Sequence, residues 1–146
     1  MSAPQATGEL LIRLGKVASN GQAFELTVGL VLAQSLGISP ENGSLVAAQL
    51  GVAGTLKLIA GLAKQDGYPL DANAVVRWLK NADQANAGRN RAIHVPWAAD
   101  SETGEFTSVV ERGLKLKPRP LSELDTVATQ LHDAILEGQA LLKTAG

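Results

Sequence analysis

Apolar residues return at alternating steps of four and three over residues 8–36, and that spacing leaves little choice of local structure. Leu10, Leu14, Val17, Phe24, Val28 and Val31, with Leu11, Ala18 and Leu32 beside them, form one stripe on a helix. Ser19, Asn20 and Gly21 are poor helix formers in its middle, so the stretch is either one helix or two shorter pieces; the continuous form is expected. A second helix is expected over residues 44–65, closed by Asp66, Gly67 and Pro69. A third is capped by Asp71, with Val75, Leu79 and Ala82 inward and Trp78 at the edge. Ser122 with Asp125 resembles a capping box opening a fourth, whose stripe is Leu124, Ala128, Leu131, Ile135 and Leu142.

Between the third and fourth helices the pattern changes. Residues 100–104 are turn chemistry, while Phe106, Ser108 and Val110, then residues 114–117, read as short extended segments. The expected fold is therefore all-α: four main helices around one core, with a small β-hairpin or extended insertion before the last. With 146 residues and 45% apolar content, residues 1–146 make a single domain.

Composition removes several classes of function. Thirteen Lys and Arg against fourteen Asp and Glu leave no global field to steer nucleic acid or an anionic membrane. No cysteine means no disulfide framework, no thiolate nucleophile and no Cys-ligated zinc. The two histidines lack any metal-ligand spacing, Gly51 and Gly54 lie in a helical pattern rather than a phosphate loop, and no cofactor is implied. The opening MSAPQATGE is no secretory leader, and no apolar stretch approaches a membrane span, so the expectation is a soluble, cytoplasmic protein without a membrane partner.

Three features stand out against this background. Glu25 points within about 20° of Leu14, Ala18 and Leu32 at 100° per residue. It is either a buried carboxylate needing a partner or, if the stripe rotates at the bend, a solvated one. Ala47, Gly51, Gly54 and Gly61 form a row of small residues that implies a close neighbouring backbone, in this chain or a second subunit. Arg112, Lys115 and Lys117, with Arg119 close by, form the one basic cluster, which either protects a sheet edge or binds phosphate.

The chemistry concentrates in RNRAIH, residues 89–94. Continuing the register of Val75, Leu79 and Ala82 brings in Asn86, Arg89 and Ile93, so the inward stripe turns polar near its end; Asn90 and His94 lie one turn apart on an adjoining flank. Val95-Pro96 then disfavours further helix. Arg and His suit phosphate diesters: a guanidinium holds phosphoryl oxygens as charge builds, and an imidazole moves a proton near neutral pH. The same pair also complements a helix C-terminus without any reaction.

RNRAIH followed by Trp97 resembles the signature of the HEPN superfamily (higher eukaryotes and prokaryotes nucleotide-binding domains), in which Arg is followed after four to six residues by His, with a polar residue after the Arg. Asn90 fills that slot here. The order of helices is similar too. The resemblance implies a four- to five-helix up-and-down bundle, a homodimer with two motifs meeting at its interface, an RNA substrate, and a toxin or phage-defence role with an antitoxin protein as partner. It implies that His94 assists attack of a ribose 2′-hydroxyl, that Arg89 stabilises the transition state and that Asn90 orients either group. Beyond the motif, Glu25 is expected to pair with Arg89 and Asn86 to support it. Arg91, Arg112, Lys115 and Lys117 are expected to contact substrate. Two alternatives use the same fold, a noncatalytic helical interaction module and a nucleotide-binding module in which Arg89 grips a phosphate.

Overall fold

In a computed structural model that describes residues 2–99, 105–110 and 115–144, helix α1 (Ala3–Leu36) runs unbroken through Ser19, Asn20 and Gly21. Ser2 and Gln5 close a capping box at its start, and Gly37 ends it in the left-handed conformation. Val17, Phe24, Val28, Val31 and Leu32 are fully buried, whereas Leu11 and Ala18 face outward. The true inward stripe thus runs beside the expected centre, which leaves Glu25 at its border with a half-exposed side chain.

Helix α2 (Pro40–Leu62) starts a turn earlier than expected, because Ser39 caps it by accepting from the Asn42 N–H. Gly51 breaks it, with φ 72° and ψ 172°, a conformation that only glycine adopts readily. The break has a topological consequence. A straight 23-residue helix would carry the chain about 35 Å from the end of α1, more than the six residues from Leu62 to Tyr68 recover at about 3.5 Å each. Yet the Tyr68 hydroxyl lies 2.7 Å from Ser35 Oγ, near the end of α1. The bend at Gly51 brings the chain back.

The small-residue row is therefore not one contact line. Close approach to α1 is made by Gly43 against Ala33 and by Ala47 against Gly29, while Gly51 is the bend and Gly61 stands exposed with nothing near it. By length and composition alone α2 is apolar enough to cross a membrane, contrary to the expectation that no stretch approaches that size. Thr55, Leu56 and Ile59 are its core-facing residues; Leu45 and Leu50 are exposed.

Helix α3 (Ala72–His94) is capped by Asp71 as expected. Trp78 sits in the core rather than at its edge, donating its indole N–H to the Ala134 carbonyl at 2.9 Å. Ile93, in the inward register, is nearly half exposed. Helix α4 (Ser122–Thr144) buries Leu124, Val127, Ala128, Leu131, Ala134 and Ile135. Ser122 is its first helical residue, and Asp125, expected to close a capping box, is ion-paired with Arg13 of α1 at 3.2 Å.

The contacts set the directions. Arg13 meets Asp125 and Asn20 donates to the Ala128 carbonyl, so α1 and α4 run parallel. Trp78 meets Ala134 while Arg91 meets Glu123, so α3 runs antiparallel to α4. Parallel first and last helices require an odd number of passes, and the two halves of α2 supply the fifth. Between α3 and α4 the insertion is a three-stranded antiparallel sheet in the order β1 (Trp97–Ala99), β2 (Phe106–Val110), β3 (Lys115–Pro118). That is one strand more than the expected hairpin; β1 begins directly after Pro96, pairing Trp97 with Ser108. The turn expected at residues 100–104 lies outside the described residues.

Candidate functional site at the end of helix α3

The last turns of α3 are held from two sides. On one side stands Arg119, just past β3 and only 5% exposed. It donates to the carbonyls of Arg91 and Val95 at 2.8 Å each and to Glu123 at 2.7 Å. Its guanidinium lies 3.7 Å over the Trp97 ring, which itself donates to the Ala92 carbonyl and meets Phe106 edge-on. One cation thus ties the last turn of α3, whose Arg91 carbonyl also accepts from the Val95 N–H, to the Val95 carbonyl beyond it. The sequence pattern grouped Arg119 with a solvated basic cluster; it is instead buried, and its role is to clamp the chain where α3 gives way to the sheet.

On the other side stands Arg89, whose side chain is 18% exposed. It donates through one terminal nitrogen to the Gly21 carbonyl at 3.2 Å and through the other to Glu25 at 2.5 Å. Gly21 makes this possible: a Cβ there would lie 2.9 Å from Arg89 Cδ, so the arginine stem crosses α1 where a side chain is missing. The weak helix formers in α1 are therefore contact points, Asn20 toward α4 and Gly21 toward α3. The expected Glu25–Arg89 pair is formed, at the border of the core rather than inside it. At that exposure it contributes at most about 1 kcal/mol.

The other motif residues face solvent. Asn90 and His94 are exposed, and neither has a hydrogen bond or ion pair among the described residues. At 100° per residue His94 lies about 140° round the helix from Arg89 and about 7.5 Å along it. A single protomer thus brings Glu25 to Arg89 but does not gather Arg89 and His94 into one cleft. Asn86, one turn before Asn90, is buried. Arg91 is largely exposed and lies 3.5 Å from Glu123, which it shares with Arg119.

Of the expected substrate contacts, Arg112 lies outside the described residues. Lys115 and Lys117 are described only as alternate backbone positions of the edge strand β3, opposite Val110 and Ser108. Among the described residues no group of three or more His, Asp and Glu side chains is placed to hold a metal ion.

Next to the Arg89 seat, a groove of about 370 Å³ runs between α1 and the first half of α2, walled by Glu25, Leu26, Gly29, Ala47 and Gly51. Glu25 thus belongs to both features. Of the five N–H donors on a guanidinium, two are engaged at Arg89. Arg119 and Gly21 went unrecognised in the sequence. The usable signal for Gly21 was a glycine on the inward face of α1 together with an arginine on the inward face of α3. No protein-family model matches this chain, and neither curated proteins nor solved structures give a significant match.

Proposed function

We propose that the protein is a metal-independent RNA endonuclease of the HEPN type, acting as a cytoplasmic homodimer in toxin or defence systems and restrained by an antitoxin protein. The supporting observation is a contrast at one helix end: Arg119, Trp97 and Gly21 hold the backbone and the Arg89 stem in place, while Asn90 and His94 point into solvent with no partner among the described residues. A structure that fixes a helix end this firmly and leaves its imidazole open is suited to act on something outside the chain.

In this reading His94 accepts the proton of a ribose 2′-hydroxyl as that oxygen attacks the adjacent phosphorus. The bond to the 5′-oxygen breaks and that oxygen takes up a proton, leaving a 2′,3′-cyclic phosphate on one fragment and a 5′-hydroxyl on the other. The free N–H groups of Arg89 stabilise the charge on the phosphoryl oxygens. Asn90 orients the imidazole or the phosphate, and Arg91 with the lysines of β3 contacts the backbone of the RNA. Since Arg89 and His94 of one protomer diverge, the second copy completes the site. Incubating the protein with RNA in EDTA and determining the fragment ends tests the reaction type. Cyclic phosphate ends are expected; 3′-hydroxyl ends, or cleavage unchanged in both Arg89→Ala and His94→Ala, contradict it.

One observation favours a second reading. Glu25 already engages Arg89, as in a bundle that grips a phosphate without reacting. Calorimetry with mononucleotides separates the two: binding without cleavage supports the noncatalytic module, and no heat at millimolar concentration removes it.

A further inference from the structure

Charge is sorted among the four helices. α1 and α2 each carry as many bases as acids, and α4 carries Lys143 against Glu123, Asp125, Asp133 and Glu137. α3 carries Arg77, Lys80, Arg89 and Arg91 against Asp83 alone. With Arg89 turned inward to Gly21 and Glu25, the other three bases of α3 are exposed. We propose that this outer face of α3 is a ridge that binds the phosphates of a single RNA strand, carrying the strand from His94 toward the start of the helix. The inference rests on the RNA reading above and adds Arg77 and Lys80, which that reading does not use.

Helix geometry puts these bases in line with the open imidazole. At 100° per residue Lys80 lies about 40° round the helix from His94, Arg91 about 60° and Arg77 about 100°, all toward the same side. Along the axis they stand about 21, 4.5 and 25 Å from His94 at 1.5 Å per residue. The longest of these spans is roughly seven nucleotides of stacked strand at about 3.4 Å each. Neither Arg77 nor Lys80 has a hydrogen bond or ion pair among the described residues, so their charge is free to meet a ligand. Two α4 acids that reach α3 are already engaged there, Glu123 by Arg119 and Arg91 and Glu137 by Asn81.

An acidic protein fits this face less well than a nucleic acid strand. Protein interfaces centre on buried aromatic and aliphatic anchors, and Val76 is the one large apolar side chain on that side of α3. Phosphates need only spaced cations with polar groups between them, which Gln84 and Asn90 supply here.

The test uses an oligouridylate of about twelve nucleotides carrying 2′-O-methyl groups, which cannot be cut by attack of a 2′-hydroxyl, so binding is read apart from cleavage. Fluorescence anisotropy with the full chain is expected to show the association constant falling with salt at a double-logarithmic slope of about −2, as for three neutralised phosphates on a single strand. In the double variant Arg77→Gln, Lys80→Gln the slope is expected to shrink by about 1.4 and binding at about 50 mM salt to weaken at least about tenfold, with the helical circular dichroism retained. Lys57→Gln, at an exposed lysine of α2, leaves slope and binding unaltered. Cleavage absent while the ridge effect is present refutes the reaction and supports the ridge. A double variant with the wild-type slope overturns the ridge even where the cleavage ends are cyclic phosphates. So does a wild-type chain that fails to bind the oligonucleotide at about 50 mM salt. Polyglutamate bound more tightly than RNA of equal charge also overturns it and assigns the face to an acidic protein.

Discussion

Arg119 and Arg89 flank the same helix end, yet they are held in different ways. Arg119 is buried, stacked on Trp97, and bonded to two carbonyls and a carboxylate, so each of its three nitrogens has a fixed partner. Arg89 is partly open and bonded to one carbonyl and a half-exposed carboxylate. A buried cation that satisfies backbone groups is a structural element, because removing it strands its partners away from water. A cation at a border, held on one side and open on the other, can exchange partners. In the proposed function, the two arginines thus divide structure from chemistry across a single helix terminus.

Substitutions can break or sharpen that division, and the expected losses of stability fall in a definite order. Arg119→Ala has the largest effect, about 2–4 kcal/mol in urea unfolding, since it removes three charge-assisted hydrogen bonds, to the Arg91 and Val95 carbonyls and to Glu123, together with the stacking on Trp97; a loss under about 1 kcal/mol would erase the contrast. Gly21→Leu comes next, about 1–3 kcal/mol from overpacking against the Arg89 stem. It should also lower any cleavage by displacing the guanidinium, and full activity would show that the seat is irrelevant. Glu25→Gln is milder, below about 1 kcal/mol because the pair is half exposed. Cleavage is expected to fall, since the seat is loosened; a rise would mean that Glu25 only blocks Arg89. Asn90→Ala, exposed and without a partner among the described residues, is expected to change stability by no more than about 0.5 kcal/mol.

Much of this was legible in the chain, for identifiable reasons. The four-three spacing located α1, α3 and α4, and Asp71 marked the start of α3, because burial and capping act within a few residues of each other. The bend in α2 was not legible: glycine is tolerated within helices, so Gly51 looks like its small neighbours until the chain must return to Ser35. At the site, the inward register of Arg89 could be counted, but its contact on α1 required knowing which turn of α1 faces α3. Arg119 was hidden by company. Among lysines, arginines and prolines it resembles a solvated surface residue, and only the sheet register swings it under Trp97.

The proposed function requires that the exposed imidazole at the end of α3 move a proton in RNA cleavage. Its most direct test is the single-turnover cleavage rate of His94→Ala on total RNA in EDTA, with urea unfolding run on the same sample. Unfolding free energy within about 0.5 kcal/mol of wild type, with a rate at least about 10²-fold lower, is the expected result. An equally stable variant that cuts at the wild-type rate would contradict it.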